Sequence, residues 1–443
     1  MQMNATLLRS SIVAALGGLL FGFDTAVISG VTSALTAKYA LTPVSLGFTV
    51  SAALFGTILG AMFGGIPGDI YGRRSSLRIT GGLYLISALG CALAFDWNTL
   101  VIARFIGGLG IGASSVLGPM YIAEIAPPKS RGKLVGFFQF NIVFGILLAY
   151  FSNYVIGSMG FGDAEWRWKL GIAAVPAALF CLMLFTIPES PRWLAQKGRV
   201  GEAEAVLRAS GDPDYRKDLD EIVASVRSTG GAAASEPLFQ RRYRFPIFLA
   251  VSIGMFNQLS GINAILYYLN DIFASAGFTK VSGDLQSVAV GGTNLLFTVI
   301  AMSVIDRLGR KKLLLIGAAG TAAALACVAA IFLSGTHQDL LLWCLAAFIG
   351  FFAFSQGAVI WVYLSEVFPT LVRAKGQSLG SFTHWVMNAA ISFAFPPLAA
   401  LSKGAPFVFF AVMTAVQFFV VLAAYPETKG YTLEEMQSRL GAA

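Results

Sequence analysis

Charge is what this chain has least of. Asp, Glu, Lys and Arg make up 12% of its 443 residues, about half the ~25% share of an ordinary soluble domain. With 56% hydrophobic residues and a mean hydropathy of +0.72, a water-soluble globule is excluded. Histidine is rarer still. Its two copies, His337 and His384, sit in no metal-ligand spacing and beside no nucleophile, so neither an enzymatic activity nor a metal is expected. Cys91, Cys181, Cys327 and Cys344 all fall in apolar runs without a CxxC pair, which reads as packed small hydrophobes rather than disulfides. No GxxxxGK[ST] stretch occurs, which removes the phosphate loop of an ATP-driven machine.

Long apolar runs are what the chain does have. Twelve are long enough to cross a bilayer core as helices, at about 10–31, 46–68, 76–95, 98–122, 133–156, 168–188, 246–275, 285–305, 312–334, 339–364, 376–400 and 405–425. A transmembrane barrel would show short alternating segments instead. The expected fold is therefore all-α and polytopic. A six-helix bundle covers 1–188, a cytosolic helical linker 189–245, a second bundle 246–425 and a cytosolic C-terminal helix 426–443. In the linker, Val200–Arg208 and Asp214–Arg227 read as amphipathic helices split by Asp212-Pro213, and Gly230–Ser235 as flexible chain. Thr432 and Glu435 stand in capping-box spacing ahead of the last helix.

The net charge of +8 is an orientation signal. With the N-terminus inside, 25 basic residues lie on that side and five on the other: Lys38, Arg167, Lys169, Lys280 and Lys403. This asymmetry places both termini in the cytoplasm, in the cell membrane, and assigns the surplus charge to lipid rather than nucleic acid.

The chain is also a duplicate of itself. Tyr121, Glu124, Pro127 and Arg131 recur as Tyr363, Glu366, Pro369 and Arg373, at an offset of 242. Asp69, Gly72, Arg73 and Arg74 recur as Asp306, Gly309, Arg310 and Lys311, and Pro188-Glu189 as Pro426-Glu427, at offsets of 237 and 238. Three matches in one order mean a repeated unit, and a repeated helical unit this apolar is the signature of a secondary transporter.

Two features lie inside the spans. Asp24 stands in span one, and Arg104 is the basic residue within an apolar stretch of the same half. Intramembrane carboxylates face a partner or a cavity, and separating such a pair changes the acid's proton affinity. Amides also interrupt apolar spans, where leaving one unpaired is costly. Gly261 beside Ser260 permits a local break that lets Gln258 and Asn263 reach one side. Each amide alone also fits helix–helix glue.

Gly22-Phe-Asp24-Thr-Ala-Val-Ile-Ser-Gly30, Gly72-Arg-Arg74, Pro188-Glu-Ser-Pro-Arg-Trp193, Gln258-Leu-Ser-Gly-Ile-Asn263 and Pro426-Glu-Thr-Lys-Gly430 together resemble the sugar porter family of the major facilitator superfamily, over essentially the whole chain. The resemblance implies two six-helix bundles around a central cavity, carrying a hexose or pentose by alternating access. It places Gln139, Gln258, Asn263, Asn294, Trp361 and Trp385 in that cavity, lined by Phe21, Tyr267 and Tyr268. Neutral amides suit sugar hydroxyls and aromatic walls suit the C–H face. Proton-coupled members carry an acid at the Asp24 position and an arginine at the Arg104 position. Symport with the proton as coupling ion is thus expected, and no other cofactor. The alternative is a facilitative uniporter in which Asp24–Arg104 is a static bridge. A sugar sensor is a further rival, usually with a long signalling tail.

The acids and bases near helix ends, Asp69 with Arg73 and Arg74, Glu124 with Arg131, Glu189 with Arg192, Asp306 with Arg310, Glu366 with Arg373, together with Glu427, read as a cytoplasmic gate. Ion pairs hold in one arrangement and are hydrated in the other. Some positions depart from the family. Asn257 replaces the first of two glutamines, Ile146 a further cavity glutamine, and His384 an asparagine or glutamine beside Trp385. Span ten reads Gln356-Gly-Ala-Val-Ile where prolines are usual. His384 and Asn388 lie one turn apart on one face. The chain is expected to work as a monomer.

Overall fold

A computed structural model describes residues 4–127, 131–211, 214–229, 237–369, 372–430, 435–436 and 439–440, with the backbone alone at 131–132, 225 and 227–229. The stretch expected to be flexible at 230–235 and the capping box expected at Thr432 therefore lie outside the described residues, as does most of the expected C-terminal helix. Those described form helices and no strand. In chain order they are α1 (Ala5–Val27), α2 (Thr32–Tyr39), α3 (Pro43–Phe63), α4 (Gly65–Tyr71), α5 (Arg73–Ala92), α6 (Trp97–Ile125), α7 (Arg131–Ser158), α8 (Glu165–Gly171) and α9 (Ala174–Met183). Next come α10 (Pro191–Gln196), α11 (Val200–Ala209) and α12 (Tyr215–Thr229). The rest are α13 (Arg244–Leu259), α14 (Ile262–Tyr267), α15 (Leu269–Ser275), α16 (Lys280–Leu308), α17 (Arg310–Ser334), α18 (Leu341–Phe354), α19 (Gln356–Glu366), α20 (Arg373–Leu401) and α21 (Ala405–Ala424).

Ten helical stretches are long and apolar enough to cross a membrane. The two other expected spans are helical as well, α5 with 20 residues and α20 with 29. They are less apolar because Arg73, Arg74 and Arg78 open α5, while α20 carries Arg373, Lys375, His384 and Asn388. Some apolar runs are broken rather than continuous. The run at 246–275 becomes α13, α14 and α15, with Gly261 at φ +81° starting α14. A Cβ at Gly261 would stand 2.3 Å from the Phe410 ring, so both backbone and packing require glycine there.

The chain divides into two compact units. The first holds Met1–Thr25, Phe55–Ala149 and Arg167–Ala234, the second Ala26–Leu54, Tyr150–Trp166 and Ser235–Ala443. In the first, α5 packs along α6 and α9 around a core that includes Leu77, Tyr121, Phe138 and Phe180. Gly56 and Gly60 let α3 lie against α6: a Cβ on either would come within 2.2–2.3 Å of the Phe105 or Leu109 carbonyl oxygen. Such small-residue stripes are how helices approach closely in lipid. Asp96 caps α6, and bonds from the Thr99 hydroxyl and N–H hold its carboxyl below the usual carboxylate range. Helices α10–α12 form a satellite cluster in which Trp193, Leu194 and Ala203 pack with Leu219 and Ile222.

In the second unit α13 packs on α20 and α17 on α18 and α21, around Leu249, Leu313, Tyr363 and Phe368. The ends of α1 and α7 belong here too. Tyr150 donates to the Leu266 carbonyl at 2.8 Å, Asn153 to the Val27 carbonyl at 3.1 Å, and Lys280 meets Glu165 at 2.8 Å.

Candidate functional site

Three kinds of polar cluster stand out, one of them present in both units. In the first unit Gly72, at φ +95°, turns the chain from α4 into α5. A Cβ there would stand 2.5 Å from Glu189 Oε2. With that space open, the Glu189 carboxylate reaches the start of α5 and accepts from the Arg74 N–H at 2.9 Å, where unpaired helix N–H groups and the helix dipole favour an anion. Arg73, 4% exposed, then spreads its guanidinium. Nη1 reaches Asp69 at 3.0 Å, while Nε and Nη2 reach Glu124 Oε1 at 3.2 and 3.0 Å. The Ser190 hydroxyl donates to the other Glu124 oxygen, and Tyr121 donates to the Pro188 carbonyl at 2.8 Å.

The second unit repeats this. Gly309 is at φ +90°, with its Cβ position 2.6 Å from Glu427 Oε2. Glu427 accepts from the Arg310 and Lys311 N–H groups at 2.8 and 3.0 Å. Arg310 meets Asp306 at 3.1 Å and Glu366 at 2.9 Å. Thr428 stands in for Ser190, donating to Glu366 at 2.6 Å, and Tyr363 donates to the Pro426 carbonyl at 3.2 Å.

Asp69 with Arg73 and Asp306 with Arg310 pair as expected along the sequence; the glutamates find other partners. Glu124 and Glu366 meet Arg73 and Arg310, which are 51 and 56 residues away. Glu189 does not meet Arg192, which is exposed, because the helix start beside Gly72 draws its carboxylate. Arg373 donates to the Phe368 carbonyl at 3.3 Å. The Arg131 side chain lies outside the described residues. Arg74 reaches the Ile187 carbonyl at 3.1 Å.

The interior of the first unit holds charge. Asp24 on α1 and Arg104 on α6 stand 4.0 Å apart, Arg104 with its side chain 3% exposed. Arg104 Nε and Nη1 are buried and without a hydrogen-bond partner among the described residues. Phe21 on α1 and Gln139 on α7 are half-buried in the same unit.

The interior of the second unit holds neutral amides. The break at Gly261 brings Asn263 Nδ2 to Gln258 Oε1 at 3.1 Å. Gln258 Nε2 lies 3.0 Å from Asn257 Oδ1 and 3.2–3.3 Å from the His384 ring nitrogens. His384 is set between Trp361 and Trp385, with ring centres at 5.2 and 5.1 Å. One turn along α20, Asn388 donates to the Tyr267 hydroxyl at 3.3 Å, and Tyr268 donates to the Ser392 carbonyl at 3.0 Å. Asn294 on α16 is buried, and Trp361 is 39% exposed. The structure thus brings Asn257, Gln258, Asn263, His384 and the two tryptophans into one network.

Gln356 was missed in the sequence. It is 1% exposed, and both ends of its amide lack a partner among the described residues. Its backbone carbonyl lies 3.5 Å from Asn257 Nδ2. The signal was an amide standing where span ten should be apolar.

Comparison with known proteins gives the family. A family model described as "Sugar (and other) transporter" matches residues 10–440. The chain belongs to the sugar transporter family of the major facilitator superfamily. The transporter is 37% identical to the arabinose-proton symporter of Bacillus subtilis, over 96% of its own chain and 93% of that protein. It is also 37% identical to the D-xylose-proton symporter of Escherichia coli K12, over 99% and 96%. The inward-open structure of the E. coli xylose transporter XylE matches with a TM-score of 0.87 at 36% identity, covering 98% of this chain and 99% of that one. XylE bound to 6-bromo-6-deoxy-D-glucose matches at 0.78 and 35%, covering 98% and 99%. The molecule is a multi-pass membrane transporter of sugars and not an enzyme.

Proposed function

We propose that this transporter is a proton symporter for a pentose, working as a monomer by alternating access of its bundles 1–188 and 246–425. The Asp24–Arg104 pair carries the proposal. A carboxylate and a guanidinium 4.0 Å apart inside a span form a titratable site whose proton affinity depends on their separation. Relatives that are arabinose- and xylose-proton symporters, at 37% identity, support both the coupling and the substrate class. Gln258, Asn263 and Asn388 supply hydrogen bonds to sugar hydroxyls, and Trp361 and Trp385 supply the apolar face. Gln139, Asn294, Phe21 and Gln356 complete the set. The two ion-pair clusters act as the cytoplasmic gate, with both termini in the cytoplasm. A tag at Ser228 is then cytosolic and one at Gly404 external. Two tags on one side would contradict this orientation.

Asp24→Asn tests the coupling. It keeps size and mimics the protonated acid, so sugar counterflow persists while gradient-driven accumulation disappears. A mutant that still concentrates sugar makes the pair a static bridge in a uniporter.

A further inference from the structure

One cavity in the first unit opens beside Asp24, away from the amide network and the ion-pair clusters. It is lined by Leu20 and Asp24 of α1, Tyr84, Ser87, Ala88 and Cys91 of α5, and Leu170 of α8. It has room for about one water molecule. A buried water needs two to four polar partners, and this wall offers a carboxylate, a phenol, a hydroxyl and a thiol. Beside it stands the Asp24–Arg104 pair, whose 4.0 Å separation is too long for a direct hydrogen bond. A polar contact of that length is where a bridging water belongs.

The position matters as much as the size. Helix α5 starts at Arg73 in the ion-pair cluster and ends at Ala92. Tyr84, Ser87 and Cys91 follow one another by about a turn along one face, from the level of Asp24 toward the end remote from that cluster. Tyr84 is also hydrogen-bonded to Ser114 at 2.8 Å, which fixes its ring beside the cavity. None of these side chains belongs to the amide network of the second unit.

We infer that this cavity is a water site that hydrates Asp24 from the end of the first unit opposite its ion pairs. A proton reaching it from a hydronium ion forms an O–H bond at the Asp24 carboxylate as the hydronium O–H bond breaks, leaving water behind. Protonation of Asp24 then requires no passage through the sugar-binding amides. The route rests on Asp24 being the coupling acid; the water site itself does not.

Hydroxyl-radical footprinting separates the two. Radicals made from water by a brief X-ray pulse label side chains next to ordered water, and mass spectrometry reads the label. In the intact transporter Cys91 and Tyr84 should be labelled although both are buried, well above Phe180 in the dry core. Ala88→Leu, which fills the cavity from α5, should lower that label several-fold while sugar counterflow is kept. Ser87→Val serves as a second filling variant should Ala88→Leu fail to fold. Cys91 and Tyr84 labelled no more than Phe180 in the wild type would overturn the water site. The proton route is read separately, as gradient-driven uptake slowed several-fold in the filled variant at unchanged counterflow. Filled variants that lose the label yet accumulate sugar at the wild-type rate overturn the route. Wild-type uptake that ignores the gradient defeats the symport reading and the route, and the label still decides the water site.

Discussion

At their ion-pair ends the two units match nearly atom for atom; inside they are opposites. Arg73 and Arg310, Glu124 and Glu366, Glu189 and Glu427, and the glycines at 72 and 309 make the same contacts with the same kinds of atom. Yet the first unit holds a half-buried carboxylate beside a buried guanidinium, while the second gathers amides and an imidazole. Duplication supplied one helix-end fixture twice, and the interior chemistry was divided. A titrating group needs charge, whereas a sugar, uncharged and rich in hydroxyls, needs groups that both donate and accept. In one low-dielectric pocket a fixed charge would compete with the hydroxyls for those amides.

Breaking this comparison should show the largest effect inside the first unit. Arg104→Ala leaves the half-buried Asp24 carboxylate inside the span without its counter-charge, a destabilising change. The variant should melt well below wild type and lose counterflow as well as accumulation. Glu124→Gln and Glu366→Gln sharpen the match between ion-pair ends. The Glu124 side chain is 9% exposed and that of Glu366 22%, so thermal unfolding should show the greater loss for Glu124. Equal or reversed losses would mean that exposure does not set what each cluster contributes. In the second unit Gln258→Ala removes a shared partner of Asn263, Asn257 and His384. At about 1–3 kcal/mol for a lost buried partner, sugar binding by calorimetry should weaken roughly tenfold with the fold intact. Gln356→Leu should weaken binding while raising the melting temperature, since an unpartnered amide gives way to an apolar side chain. Unchanged binding there would remove Gln356 from the site. Smallest of all are Asp69→Asn and Asp306→Asn. Their side chains are 70% and 83% exposed, so each should change stability by no more than about 1 kcal/mol.

Much of this was legible because lipid imposes simple rules. Runs of some twenty apolar residues have one helical solution in a bilayer, so α16, α17 and α21 follow from hydropathy alone. Even α5 and α20 could be found despite their arginines, since the apolar runs at 76–95 and 376–400 extend past those charges. Gly261 announced its break because glycine beside a polar residue inside a span has few other uses. The partner of Glu124 was not legible. A sequence shows Arg131 seven residues away, but the α4–α5 turn brings in Arg73 from another helix, and only the folded backbone sets that distance. Glu189 was misassigned for the same reason, its ligand being a backbone N–H with no side-chain signature. Gln356 was one amide among several, and its lack of partners exists only in three dimensions.

Uptake of labelled xylose and arabinose into proteoliposomes, with and without an imposed proton gradient, tests the central claim most directly. The account predicts that the gradient drives at least one of these sugars above its equilibrium level, with protons entering alongside it, and that an uncoupler returns it to equilibrium. Uptake that stops at equilibrium, equally fast with the gradient and without it, would contradict the account.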